Sequence, residues 1–164
     1  MQARDATRQD AEAITRIYNQ GIEERVATFE TRLRSVSDVL AWFDAAYPVV
    51  VVEDGAGEII AFASTSQYRP RQCYDGVAEC SIYVDRDARG RGAGRLALDA
   101  LISAAERSGL WKLLSRVFIE NAASRSLCRS AGFREVGIYE KHARLDGVWR
   151  DVVIVERIIP ANIT

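Results

Sequence analysis

Histidine occurs once in the 164 residues, at His142, and cysteine only at Cys73, Cys80 and Cys128. One imidazole and three thiols without paired ligand spacing supply a zinc site poorly, so no metal is expected and the cysteines are read as packed thiols. Long apolar runs are also missing. Nothing approaches the ~20 residues needed to span a bilayer, and the opening MQARDATRQD is polar and mixed in charge, unlike a secretory h-region. A cytoplasmic protein with no membrane partner is expected. Neither sign of charge dominates: 22 Lys+Arg stand against 23 Asp+Glu, a net charge of −1. No general field therefore attracts nucleic acid, and any anion must be bound by a local cluster of arginines.

The length suits one domain, 1–164, with room for a real core. Thr7 and Asp10 form a capping-box pattern ahead of Ala11, Ile14, Ile17 and Tyr18 at helical spacing, with Gly21 placed to close the helix. Ser35 and Asp38 repeat the signal before Val36, Val39, Leu40 and Phe43, and Pro48 bars continuation. VVVVED, DGAG and EIIAFASTSQY read as a hairpin, and VAECSIYV as a further strand. Leu98, Leu101, Ile102 and Ala105 mark a helix ended by Gly109, followed by the strand LWKLLSRVF. Asn121 can cap a short helix, NAASRSLCRSAGF, that Gly132 stops, and Asp146-Gly147 signals a closing hairpin. The order predicts an α/β (α+β) fold, one mixed sheet covered by helices.

Between VAECSIYV and the third helix stands RGRGAG, with three glycines in six positions. A P-loop is excluded because Gly90 and Gly94 are too close and Arg95-Leu96 stands where Lys and a hydroxyl residue are needed. A dinucleotide fingerprint is matched in letter by Gly92, Gly94 and Ala97, with Glu120 ending the next strand, but DRDARGR intervenes between strand and glycines. The remaining reading is Arg89-x-x-Gly92-x-Gly94, a loop whose backbone N–H groups and following helix N-terminus favour a pyrophosphate. Arg89, Arg91 and Arg95 can add charge-assisted contacts. The plain alternative is a solvated turn whose glycines serve geometry only.

ECSIYV, then RGRGAGR, then NAASRSLCRSAGF a helix and a strand later, resembles the GNAT acetyltransferase superfamily with its Q/R-x-x-G-x-G/A loop for acetyl-CoA. IYNQGIEERVATFET, YRPRQCYDGVAE and DGVWRDVVIVER extend the likeness, over essentially the whole chain, to the branch that acetylates phosphinothricin and its arsinothricin-acetylating relatives. The resemblance implies a central sheet splayed between two strands, with acetyl-CoA as cosubstrate. The backbone of Ile82, Tyr83 and Val84 would face pantetheine, and Arg89, Gly90, Arg91, Gly92, Ala93, Gly94 and Arg95 would hold the pyrophosphate. Asn121 would lie near the thiol end. It also implies a homodimer and a small amino-acid acceptor such as phosphinothricin, arsinothricin or methionine sulfoximine, detoxified by acetylation.

Amide formation from a thioester needs a free amine, a stabilised oxyanion and a proton for the departing thiolate. Glu79, inside the apolar strand VAECSIYV, is the candidate base: burial would raise its pKa from about 4.3 toward useful basicity. The related branch has a glutamate at the matching position, whereas an outward-facing strand carboxylate is the plain alternative. Cys128 stands where many relatives carry Tyr or His as general acid; it is read as a packed thiol and not as a catalyst. Arg69 and Arg71 flank Pro70 and offer two guanidinium forks for a carboxylate and a second oxyanion; solvated loop arginines are the alternative. Tyr74 beside them can donate a hydroxyl or pack. The resemblance places Thr28 and Phe29 at the acceptor pocket. His142, Trp149, Arg150 and Asp151 are read as structural or interfacial. Rival readings are an acetyltransferase for another amine or a protein N-terminus, a CoA-binding regulatory domain without turnover, and a nicotinamide-cofactor protein.

Overall fold

Seven strands and four α-helices form in the computed structural model, which describes residues 1–164. They run β1 Gln2–Asp5, α1 Ala11–Glu24, α2 Val36–Leu40, β2 Val49–Glu53, β3 Ile59–Gln67, β4 Val77–Val84, α3 Ala93–Arg107, β5 Lys112–Phe118, α4 Ala122–Ser130, β6 Arg134–Leu145 and β7 Val148–Ile158. The sheet order is β1-β2-β3-β4-β5-β7-β6. Every neighbouring pair is antiparallel except β4 and β5, which run parallel.

That one parallel pair is short. β4 and β5 pair only from Val77↔Lys112 to Glu79↔Leu114, although β4 continues five residues to Val84 and β5 four to Phe118. Beyond Glu79 the strands part, so Cys80–Val84 keep β3 on one edge and have no strand on the other. The mixed, splayed sheet expected from the resemblance is thus present, and the split falls at Glu79.

The two faces of the sheet carry different cores. Ala78 and Cys80 on β4 pack with Leu98, Leu101 and Ala105 of α3, and with Leu113 and Val153. Ile14 and Ile17 of α1 cover Val49, Val51 and Phe62 on the opposite face. Phe62 is fully buried there, worth ~1.5–3 kcal/mol of transfer free energy. The period of two along β4 puts Glu79, Ser81 and Tyr83 on the α1 face.

One expectation is corrected, and one strand was not foreseen. Gly21 does not end the first helix; α1 continues to Glu24 and stops at Arg25, which has φ 58°. Gly21 is needed for close approach instead, since a Cβ there would stand 2.6 Å from the Tyr83 ring. The amino-terminal strand β1 was masked by its polar letters. Arg4 sits in it with both terminal nitrogens on the Asp10 carboxylate at 2.8 Å and Nε on Glu53. Asp10 also accepts from Thr7 N–H at 2.8 Å, so the capping box forms on a 3-10 turn leading into α1. The second helix is brief, five residues of α2 followed by a 3-10 turn over Ala41–Asp44. No helix is long and apolar enough to cross a membrane.

Candidate active site

Three connected spaces follow the split in the sheet. A groove of about 460 Å³ runs between the end of β4, the glycine loop and α4, lined by Ile82, Tyr83, Val84, Arg89, Gly90, Gly92, Ala93, Gly94, Arg95 and Asn121. It shares Ala27, Ile82 and Asn121 with a cleft of about 50 Å³ inside the fork. That cleft shares Ser81, Ser115 and Arg116 with a cavity of about 280 Å³ around Glu79, Thr28 and Phe29. One path thus leads from the glycine loop to the Glu79 carboxylate.

The loop presents an open helix end. Gly92 is the N-cap of α3 at φ 88°, a left-handed conformation that side chains disfavour, and no side chain caps the helix. The first-turn N–H groups of α3 consequently have no intrahelical acceptor, which with the helix dipole makes a site for an anion. Gly94 lets this turn sit against its neighbours, because a Cβ would lie 3.3 Å from both Val84 and Leu127. Arg89 pairs with Glu24 at 2.8 Å, and Arg95 with Asp99 at 2.9 Å and the Ser130 carbonyl at 3.0 Å. Their guanidiniums are thereby held at the rim. Arg91 is exposed and does not line the groove, unlike the other six residues of Arg89–Arg95.

The strand end is tied to α1. Buried Asp85 accepts hydrogen bonds from Arg16, from Gln20 at 3.3 Å and from the Asp87 N–H at 3.0 Å. Asn121 caps α4, accepting from Ser124 N–H at 3.1 Å, while its amide donates to the Val26 carbonyl at 3.4 Å. The chain after α1 is thus pinned over the fork.

Glu79 is not an isolated carboxylate in an apolar strand. Its Oε2 accepts from Arg116 at 2.7 Å, and a quarter of its side chain, 26%, is exposed. Sequence reasoning missed Arg116, yet a signal was there: LWKLLSRVF carries a cation inside an apolar strand, as VAECSIYV carries an anion. Ala27, Ser81 and Ser115 were missed as well, being small and without a chemical signature. Phe29 packs edge-on to Phe118, ring centroids 4.8 Å apart, so it both lines the cavity and plugs the core beneath. Burial pushes the Tyr83 hydroxyl upward, and it stays neutral near pH 7. Cys128, lining the cleft, is buried and pushed up to about 11, chiefly by burial and secondly by Glu135.

Residues 13–133 match the Acetyltransferase (GNAT) family. The chain belongs to the GNAT acetyltransferase family. This GNAT protein is 34% identical over 157 residues to an L-methionine sulfoximine/L-methionine sulfone acetyltransferase of Pseudomonas paraeruginosa, covering 93% of this chain and 91% of the other. Its fold superposes on a phosphinothricin acetyltransferase of Sinorhizobium meliloti solved in complex with AcCoA, with TM-score 0.89, 30% identity and coverage of 96% and 87%. It also superposes on a ribosomal-protein-alanine N-acetyltransferase of Brucella melitensis, with TM-score 0.91, 31% identity and coverage of 97% and 100%. These relatives agree on the transfer and differ in the acceptor. The protein is an acetyl-CoA-dependent N-acetyltransferase.

The remaining candidates of the GNAT chain lie outside the three spaces. Arg69, Arg71 and Tyr74 belong to the β3–β4 connection and line none of them. Arg69 stands 5.1 Å from the Tyr68 ring and Arg71 6.0 Å from that of Tyr74, while Tyr68 and Tyr74 meet perpendicularly at 5.3 Å. Neither arginine has an acidic partner. His142 is exposed against Tyr139 at 4.9 Å, and Arg144 lies 4.5 Å over exposed Trp149. Asp151 accepts from Lys141 N–H at 2.7 Å where β6 bulges, and Arg150 lies 5.7 Å from the Phe118 ring. No group of three or more His, Cys, Asp or Glu is placed to hold a metal.

Proposed function

We propose that the protein acetylates the α-amino group of a small amino acid or amino-acid analogue, with Glu79 as the base. The carrying observation is the position of Glu79: a carboxylate at the point where β4 and β5 separate, on the path from the glycine loop to a cavity walled by Thr28 and Phe29. An amine must shed its proton before it attacks, and Glu79 accepts that proton directly or through one water. Acetyl-CoA supplies an acetyl group activated as a thioester. Ile82–Val84 offer the free strand edge to the pantetheine arm, the N-terminus of α3 with Arg89 and Arg95 receives the pyrophosphate, and Asn121 stands near the thiol end. Arg91, exposed outside the groove, serves the pyrophosphate only as an outer charge.

Methionine sulfoximine, phosphinothricin and arsinothricin are the proposed acceptors. Arg69 and Arg71, cations without an acidic partner, draw in the acceptor's carboxylate, with Tyr74 beside them. Acetylation removes the ammonium charge by which such a mimic binds its target, so a resistance role in the cytoplasm follows. A homodimer is proposed on the exposed apolar residues Val136, Ile138, Tyr139, Val148 and Trp149 of the β6–β7 hairpin.

The name of the Brucella relative favours a second reading, a protein N-terminus as acceptor. Thiol release from acetyl-CoA with methionine sulfoximine, phosphinothricin, arsinothricin and a peptide beginning with alanine separates the two. Turnover with the free amino acids and none with the peptide is expected; the reverse would overturn the proposal.

A further inference from the structure

The carboxyl end of α1 goes against a local preference. Its last turn carries Glu23 and Glu24 and no base, although the helix dipole disfavours negative charge at that end. Arg25, the left-handed residue that stops the helix, pairs elsewhere, with Asp146 at 3.3 Å. The acids are offset instead by two cations from the connection between β4 and α3. Arg86 lies 3.4 Å from Glu23 and 3.8 Å from Glu24, and Arg89 lies 2.8 Å from Glu24. A residue placed against its local preference points to a use outside the helix.

The two glutamates differ in what they face. Glu24 lines the groove of the glycine loop with its side chain 25% exposed, whereas Glu23 lies outside the groove at 55%. Everything else charged in that lining is positive: Arg89, Arg95 and the uncapped N-terminus of α3. Glu24 is its one acid. The Arg89 guanidinium donates to Glu24 Oε2 at 2.8 Å and to the Val84 carbonyl at 3.4 Å, so the protein itself engages it on two sides. A doubly charged pyrophosphate seated at the helix end meets a carboxylate of its own sign beside a cation already paired. Repulsion across a partly desolvated groove is stronger than in bulk water, and the phosphate gains the charge-assisted contact only by drawing Arg89 off Glu24.

We propose that Glu24 is a built-in competitor of the cofactor's phosphates. It holds Arg89 until phosphate displaces it and, by opposing the pyrophosphate, lowers the affinity for acetyl-CoA and for the product CoA alike, which speeds release of CoA after transfer. The inference rests on the reading of this groove as the seat of the pyrophosphate.

Calorimetry with acetyl-CoA, CoA and acetyl-pantetheine, which lacks the pyrophosphate, tests this on wild type, Glu24→Gln, Glu23→Gln and Arg89→Gln. Glu24→Gln should bind acetyl-CoA and CoA about fivefold more tightly, the most that one partly exposed pair is worth, and acetyl-pantetheine as wild type does. The gain should shrink as salt rises toward about 1 M. Release of CoA, followed by displacement in stopped flow, should slow by the same factor. Glu23→Gln, outside the groove, should stay within about twofold of wild type. Arg89→Gln should weaken acetyl-CoA severalfold. Unchanged or weaker binding by Glu24→Gln beside a weakened Arg89→Gln would overturn the inference, leaving Glu24 as the residue that positions Arg89, and would keep the groove reading. Equal tightening of acetyl-pantetheine would overturn it too, because the effect would not run through phosphate. If Arg89→Gln binds all three ligands as wild type does, the pyrophosphate sits elsewhere, and the groove reading falls together with the inference.

Discussion

Arg116 on β5 and Glu79 on β4 are joined by a 2.7 Å ion pair just where the two strands stop pairing. The pair bridges the mouth of the fork and fixes the carboxylate against the cavity that holds Thr28 and Phe29. Arg116→Ala should leave Glu79 present but unpositioned, lowering kcat by about tenfold, a fraction of the general-base contribution. Arg116→Lys keeps the charge without the planar fork and should recover part of the loss. Steady-state kinetics on the two variants check this.

The glycine loop should respond to a single methyl group. At Gly92, φ is 88°, and alanine there pays a left-handed penalty of about 1–2 kcal/mol. Gly92→Ala should therefore unfold at lower denaturant and show a severalfold higher KM for acetyl-CoA. Gly55, with open space around it and no left-handed backbone, is the control, and Gly55→Ala should change neither.

Thiol reactivity should divide one against two. Cys73 is exposed, while Cys80 and Cys128 are buried; burial raises both buried thiols, Cys128 to about 11. Since the thiolate is the reactive form, a disulfide reagent at pH 8 should label one equivalent quickly and the other two only on unfolding. Cys73→Ser should remove the fast phase. Fast labelling of Cys128 would contradict its assignment as a packed, protonated thiol.

Acid should weaken the amino-terminal anchor. The Arg4 guanidinium holds the Asp10 carboxyl below its ordinary 3.8, against the opposing effect of burial. A depressed folded pKa contributes stability that is fully present above the unfolded value and is lost as pH falls through the folded one. The loss should thus lie below about pH 4. Asp10→Asn should cost about 1–3 kcal/mol at pH 7 and flatten the acid limb of stability against pH. Urea midpoints from pH 7 to pH 2 measure both effects.

Elements with strong periodicity were readable before any coordinates. VAECSIYV, LWKLLSRVF and the helix on Leu98, Leu101 and Ala105 all form where expected, as does the turn at Asp146-Gly147. β1 was not readable, because its stability comes from pairing with β2 and from the Arg4–Asp10 contact, not from its own letters. Gly21 misled for a related reason: its use is tertiary, against Tyr83, 62 positions away in the chain. In the site, the loop motif and Glu79 stood out as sequence, whereas Arg116 became meaningful only once the fork brought β5 to β4. Arg69 and Arg71 had chemistry on their side but no sequence signal of how far they stand from the cavities.

Glu79→Gln is the measurement closest to the central claim, since it removes the proposed base and keeps shape and volume. Calorimetric binding of acetyl-CoA should stay within about twofold, because the loop and strand edge proposed to hold it are untouched, while acetylation of methionine sulfoximine should fall by about 100-fold or more. Turnover within a few-fold of wild type would contradict the account and remove Glu79 from the chemistry.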